Sequence, residues 1–270
     1  MNIWFRPTGY LVLVGLALGL MQFPLSAQET LVEYGVDVVS DYVFRGSDLH
    51  REVYVVRKED ETAFNISPAA QPTVTIYGPA GLWFNFWGSF ALMERDEDTA
   101  TGFSGLETVD EVDTTIAFDW ENRLGSFSAG IVNYALVNSK AQGHNATVQE
   151  MYFSWGLPIL ESVSPSIAHY SDSNSGAYYS ALGAGGGETL SWSGNLGFVS
   201  GGIQDITLGL GYERTDSLSI SVNVALRPKP EFHGYTSDGK YISAKDASEK
   251  DYAPAIFWVG LSYSGDPITE

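Results

Sequence analysis

The chain contains no cysteine, which excludes disulfides, thiolate catalysis, thiolate zinc sites and cysteine-held iron–sulfur clusters together. Four histidines leave little material for an imidazole-rich metal centre. Positive charge is scarce as well, with 14 Lys and Arg against 33 Asp and Glu, a formal −19 over 270 residues. Nucleic acid is therefore excluded as a main partner, because a polyanion needs Lys and Arg clusters. The longest apolar run, Tyr10–Met21, is twelve residues, well short of the roughly 20 that span a bilayer as a helix. What is abundant is glycine, at 29, and aromatic residues, at 36 of Trp, Tyr and Phe together. That aromatic content argues against disorder.

The first 27 residues read as a secretory signal. Arg6 precedes the apolar run, and Pro24-Leu25-Ser26-Ala27 supplies a small residue at the expected cut. This leaves 28–270 as one domain of the exported protein.

The rest of the chain alternates with period two. Leu218, Ile220, Val222, Val224 and Leu226 are separated by Ser219, Ser221, Asn223 and Ala225. Val112–Trp120, Met151–Leu157 and Ile206–Tyr212 repeat the pattern, and so does a first segment running from Val32 to Phe44. Successive side chains of a strand point to opposite faces, so each segment has one apolar and one polar face. The expectation is an all-β chain of about twelve antiparallel strands, the first covering 31–46. Short Gly-, Pro- and Asn-containing links alternate with longer polar ones such as 47–67, 94–108 and 228–252. Short turns at one end and long loops at the other, with an even strand number, are the pattern of a closed transmembrane β-barrel.

A soluble barrel or sandwich also alternates, with its apolar face turned inward. The aromatics Tyr42, Phe44, Trp120, Trp155, Tyr212 and Tyr263 lie near strand ends on the apolar face, as in the interfacial girdles of membrane barrels. They are the expected lipid-interface residues. The polar face then lines a lumen, with Glu33, Asp37, Asp41, Arg45, Asp113, Asp119, Glu150, Asp205 and Glu213 as the pore-lining candidates.

The run Ser40-Asp41-Tyr42-Val43-Phe44-Arg45-Gly46 resembles the opening strand of the TorF family of outer-membrane porins, and Gly81–Ser89 resembles that family's third strand. The resemblance implies an outer-membrane barrel with a channel role. Partners would be ions or small solutes, outer-membrane lipid including lipopolysaccharide, and the insertion machinery during assembly. Excess lumenal acid would favour cations. No cofactor is expected, and the leading reading is non-catalytic.

The first alternative is a non-conducting barrel that acts through its loops. A second is a lipid hydrolase using His169 and Ser171, which share a strand face at i, i+2, with Asp172, Glu188 or Glu150 orienting the imidazole. Loop acids Asp96, Glu97, Asp98, Glu107, Asp110 and Glu111 are oxygen ligands of a type suited to Ca²⁺, without the spacing of a binding loop.

Overall fold

A computed structural model describes residues 30–48, 68–92, 110–137, 147–158, 163–228 and 255–269. Residues 1–29, where the sequence reading places a signal, and 49–67, 93–109, 138–146, 159–162, 229–254 and 270 lie outside the described residues.

Twelve strands form the wall: β1 (Leu31–Val39), β4 (Ala69–Tyr77), β5 (Leu82–Ala91), β6 (Asp110–Asn122), β7 (Gly125–Val137), β8 (Thr147–Gly156), β9 (Ser166–Asp172), β10 (Tyr178–Gly186), β11 (Leu190–Val199), β12 (Gly202–Thr215), β13 (Leu218–Leu226) and β14 (Ala255–Ser264). Each pairs antiparallel with the next, and β14 pairs back onto β1 with Val36 opposite Tyr263 and Val38 opposite Leu261. The sheet closes, so its wall has no free edge. In lipid, where water cannot satisfy backbone N–H and C=O groups, that closure is what lets strands span at all. Beside the wall lie β2 (Val43–Phe44) and β3 (Ser47–Asp48), a separate small hairpin, and β15 (Ile268–Thr269), which pairs with Leu31 and Val32.

The apolar face points out. Phe257, Leu210 and Val222 are 70%, 61% and 55% exposed, whereas Asp205 is 0% and Glu150 7% exposed. A soluble barrel would show the reverse, so the fold is that of a closed transmembrane barrel. At the short-turn end an outward row of aromatic rings runs across β6, β7 and β8. Trp120 stacks on Phe127 at 5.2 Å and 9°, and Phe127 on Trp155 at 5.8 Å and 10°. The Trp155 indole N–H donates to the Leu124 carbonyl at 2.9 Å, so an apolar ring carries its polar edge into the turn, the arrangement interfacial Trp favours. The turn beneath needs Gly125 (φ 126°), where a Cβ would meet the Gly156 carbonyl oxygen.

One boundary differs in kind from the expectation. The first strand stops at Val39 instead of running to Gly46, and 40–48 leaves the wall. The outward parity of the wall makes a direct test. Val222→Arg, at the middle of β13 on the lipid side, is expected to destabilise the barrel by about 2–4 kcal/mol. Asn223→Arg, one residue on and facing the lumen, is expected to cost far less; urea unfolding followed by heat-modifiable gel mobility measures both.

Candidate functional site: the lumen and the hairpin folded into it

The segment after β1 is held at its departure point by two contacts to β14. The Ser40 N–H donates to the Val259 carbonyl at 2.9 Å, and the Val259 N–H donates to the Ser40 hydroxyl at 3.1 Å. The chain then turns into the barrel. Phe44 opposes Ser47 across the two-residue turn Arg45-Gly46, with φ 49° and 79°. Both central residues are left-handed, as a tight hairpin of the primed type requires. Glycine adopts this freely, but at Arg45 it costs roughly 1–2 kcal/mol, so the surrounding contacts must outweigh it.

They do so around the guanidinium. Arg45 Nη1 and Nη2 donate to the two carboxylate oxygens of Glu150 at 2.8 and 2.6 Å, with side-chain exposures of 12% and 9%. Tyr134 donates its hydroxyl to the same carboxylate at 3.0 Å. The guanidinium carbon lies 4.7, 4.6 and 4.5 Å from the ring centres of Phe44, Tyr170 and Tyr179. A weakly hydrated planar cation fits such an aromatic cage better than an ammonium would. The Gln204 side chain donates to the Arg45 carbonyl at 2.9 Å, tying the turn to β12.

Tyr42 and Phe44 therefore do not lie at the lipid interface, where the sequence reading put them. Tyr42 is buried inside the barrel, donates to Glu111 at 2.8 Å and packs on Trp87 at 5.4 Å. Phe44 meets Tyr134 edge-on at 5.8 Å. The segment that carries them has left the wall, so either side of it faces the lumen, and the outward parity ends with β1 at Val39. With Val39, Ala69 and Trp87 these rings make an apolar cluster inside an otherwise polar interior. The other four aromatics, Trp120, Trp155, Tyr212 and Tyr263, take outward positions.

The expected lumenal acids fall on the inward face. Asp37 sits there on β1, and Glu213 on β12 opposite inward Ser219. Glu33 accepts from the Tyr77 hydroxyl at 2.9 Å, and Asp119 from the Ser128 hydroxyl at 2.5 Å. Asp205 accepts from Tyr179 at 3.2 Å and Thr207 at 3.1 Å, while Asn195 donates to the Tyr179 oxygen at 3.0 Å. Arg45 reaches the lumen as well, but from the hairpin turn and not from a wall strand. Asp110 and Glu111, read from sequence as loop acids, belong to β6, with Glu111 buried beneath Tyr42. Among the described residues no group of three metal-ligating side chains converges; Asp96, Glu97, Asp98 and Glu107 lie outside them. On the short-turn side of the hairpin a cavity of about 490 Å³ remains, bounded by Trp83, Asn85, Asp113, Tyr152 and Trp258 among others. Sequence reasoning missed Tyr134, Tyr170 and Tyr179. Their only signal was inward parity on their strands.

No family model matches the chain, and no curated protein sequence matches it. Among solved structures the fold is similar to the KdgM porin, at TM-score 0.50 and 9% identity over 87% of this chain and 99% of that one. It is also similar to an active-site variant of outer membrane phospholipase A from Escherichia coli, at TM-score 0.50 and 12% identity over 91% of this chain and 93% of that one. At these identities the likeness is one of fold.

The Arg45–Glu150 pair is expected to hold the hairpin. Arg45→Ala strands a buried carboxylate and should cost about 3–5 kcal/mol. Arg45→Ala combined with Glu150→Leu should cost less than the two single changes together. A double-mutant cycle on the urea midpoint measures this coupling.

Proposed function

We propose that the chain is an outer-membrane channel of the TorF kind that passes ions or small solutes passively and prefers cations. The observation that carries this reading is the inward face of a closed barrel. It bears Glu33, Asp37, Glu111, Asp113, Asp119, Glu150, Asp205 and Glu213, with Asp41 and Arg45 on the segment folded into the lumen and Arg227 just past β13. Low-dielectric walls focus the field of such a charge excess, lowering the energy of cations inside and raising that of anions. The hairpin at the long-loop end narrows the mouth, so the channel is small. Outer-membrane lipid, lipopolysaccharide at the loop end included, surrounds the apolar belt, and the insertion machinery assembles it after export by the N-terminal signal.

The same hairpin favours a second reading, a non-conducting barrel whose loops meet a partner. Conductance of the purified, refolded protein in a planar bilayer separates the two. The channel gives stepwise currents and, in asymmetric KCl, a reversal potential of cation-selective sign. Asp37→Asn with Asp113→Asn is expected to move that potential toward zero without changing the folded mobility on a gel. A folded protein that inserts and never conducts overturns the channel and leaves the second reading.

A further inference from the structure

On the side of the barrel formed by β8, β9 and β10 the apolar outer surface gives way to polar side chains. Gln149 donates to the Asn133 side chain at 2.8 Å, and Ser173, just past β9, stands next in the same row. Immediately on the membrane side of this row stand His169 and Ser171 of β9, both outward, and Ser180 of β10, directly opposite His169. His169 Nδ1 lies 2.8 Å from Ser180 Oγ. Tyr178, opposite Ser171, sets its ring 5.8 Å from the imidazole. On β8 the exposed Met151 and Phe153 stand directly opposite Ser171 and His169, and one step further toward the short-turn end the same surface is Ile167 and Leu182, both exposed.

The group therefore sits where the outer wall changes from apolar to polar. In a bilayer that depth holds the ester linkages between acyl chains and headgroups. The acids expected to orient His169 are elsewhere. Glu150 is held by Arg45 in the lumen, and Asp172 faces inward and accepts the Asn174 and Ser175 N–H groups at 2.7 and 3.0 Å. Glu188 lies in the turn between β10 and β11, at the far end of the wall.

We propose that Ser171 and His169, with Ser180 as a positioning residue, form a serine esterase site on the lipid-facing wall that cleaves an acyl ester of a membrane lipid. Ser180 accepts the Nδ1 proton and so keeps Nε2 free as the base. His169 and Ser171 share the outward face at i, i+2, so Nε2, turned onto Ser171 when lipid binds, takes its hydroxyl proton as Oγ bonds to the ester carbonyl carbon. The tetrahedral oxyanion collapses, the bond to the lipid alcohol oxygen breaks, and that oxygen leaves with the proton from Nε2. Water then attacks the acyl-Ser171 ester by the same proton route, releasing the fatty acid and restoring the serine. Ser171 is the nucleophile because it stands one row nearer the polar edge than Ser180, level with the ester. The site is on the opposite face of β9 from Tyr170 and the lumen, so it stands or falls independently of the channel.

The test uses the refolded full chain in mixed micelles, its fold checked by heat-modifiable mobility. A fluorophosphonate probe is expected to label Ser171, located by peptide mass, and His169→Asn is expected to abolish labelling. Fatty acid release is then followed from phosphatidylethanolamine and, separately, from lipopolysaccharide; the substrate that loses acyl chains identifies the lipid. Ser171→Ala should remove release entirely. Ser180→Ala should slow it on the order of tenfold or more and move its pH profile, which a purely structural serine would not do. A folded wild type that takes no label and releases no acid from either lipid overturns the proposal, as does a Ser171→Ala variant equal to wild type.

Discussion

The structure depends on the pairing of β14 with β1. Once the last wall strand meets the first, every spanning backbone group has a partner inside the sheet, and the register of all twelve strands is set in one ring. Register in turn sets parity, since a slip of one residue would turn the acids toward lipid and the leucines toward water. The inward row then has to fit a closed interior. At Gly197 a Cβ would collide with the Tyr179 ring and hydroxyl and the Asp205 carboxylate, so a glycine there leaves room for that buried tyrosine–carboxylate pair. Closure thus reaches from backbone pairing through side-chain size to which polar groups can meet in the lumen.

The hairpin at 40–48 is the one place where the chain departs from that regularity, and its composition answers the physical problem of doing so. A segment placed in a lumen must satisfy its own polar groups and must not leave a charge unpaired. Arg45 carries both a left-handed backbone and a buried charge. Its bidentate partner Glu150, the Tyr134 hydroxyl on the same carboxylate and three rings around the guanidinium supply the compensation. Lysine would keep the charge but lose the fork geometry and much of the ring contact. The hairpin contributes apolar contact too, because Tyr42 and Phe44 bring the main apolar cluster of the described interior into the barrel.

Much of this barrel was legible in the sequence because period-two alternation is a local property. Leu218–Leu226 announces both its strand and its two faces, and the structure places β13 over those same residues. Closure and the outward turn of the apolar face were legible through strand number and aromatic placement. The hairpin was not, and the reason is physical. Asp41 to Arg45 continues the alternation because β2 is itself extended, so nothing in the period marks where the strand quits the wall. The available signal was Arg45-Gly46, a residue-glycine pair of the kind that tight hairpins use, lying inside an apparently continuous strand. Glu150 as the partner of Arg45 lay beyond local reading altogether, 105 residues away and fixed only by closure.

Strand β9 shows how one short element serves two solvents. Tyr170 supports the Arg45 guanidinium from the lumen side, while the residues flanking it, His169 and Ser171, meet the lipid side with Ser180. The neighbouring side chains share a backbone and almost nothing else, since the sheet separates an acidic aqueous interior from an apolar exterior. A change at Tyr170 acts on the hairpin and the lumen; a change one residue to either side acts on the membrane-facing surface. Parity divides the chemistry of this protein more sharply than distance does. Residues adjacent in sequence lie in different media, while Arg45 and Glu150, remote in sequence, meet as one ion pair.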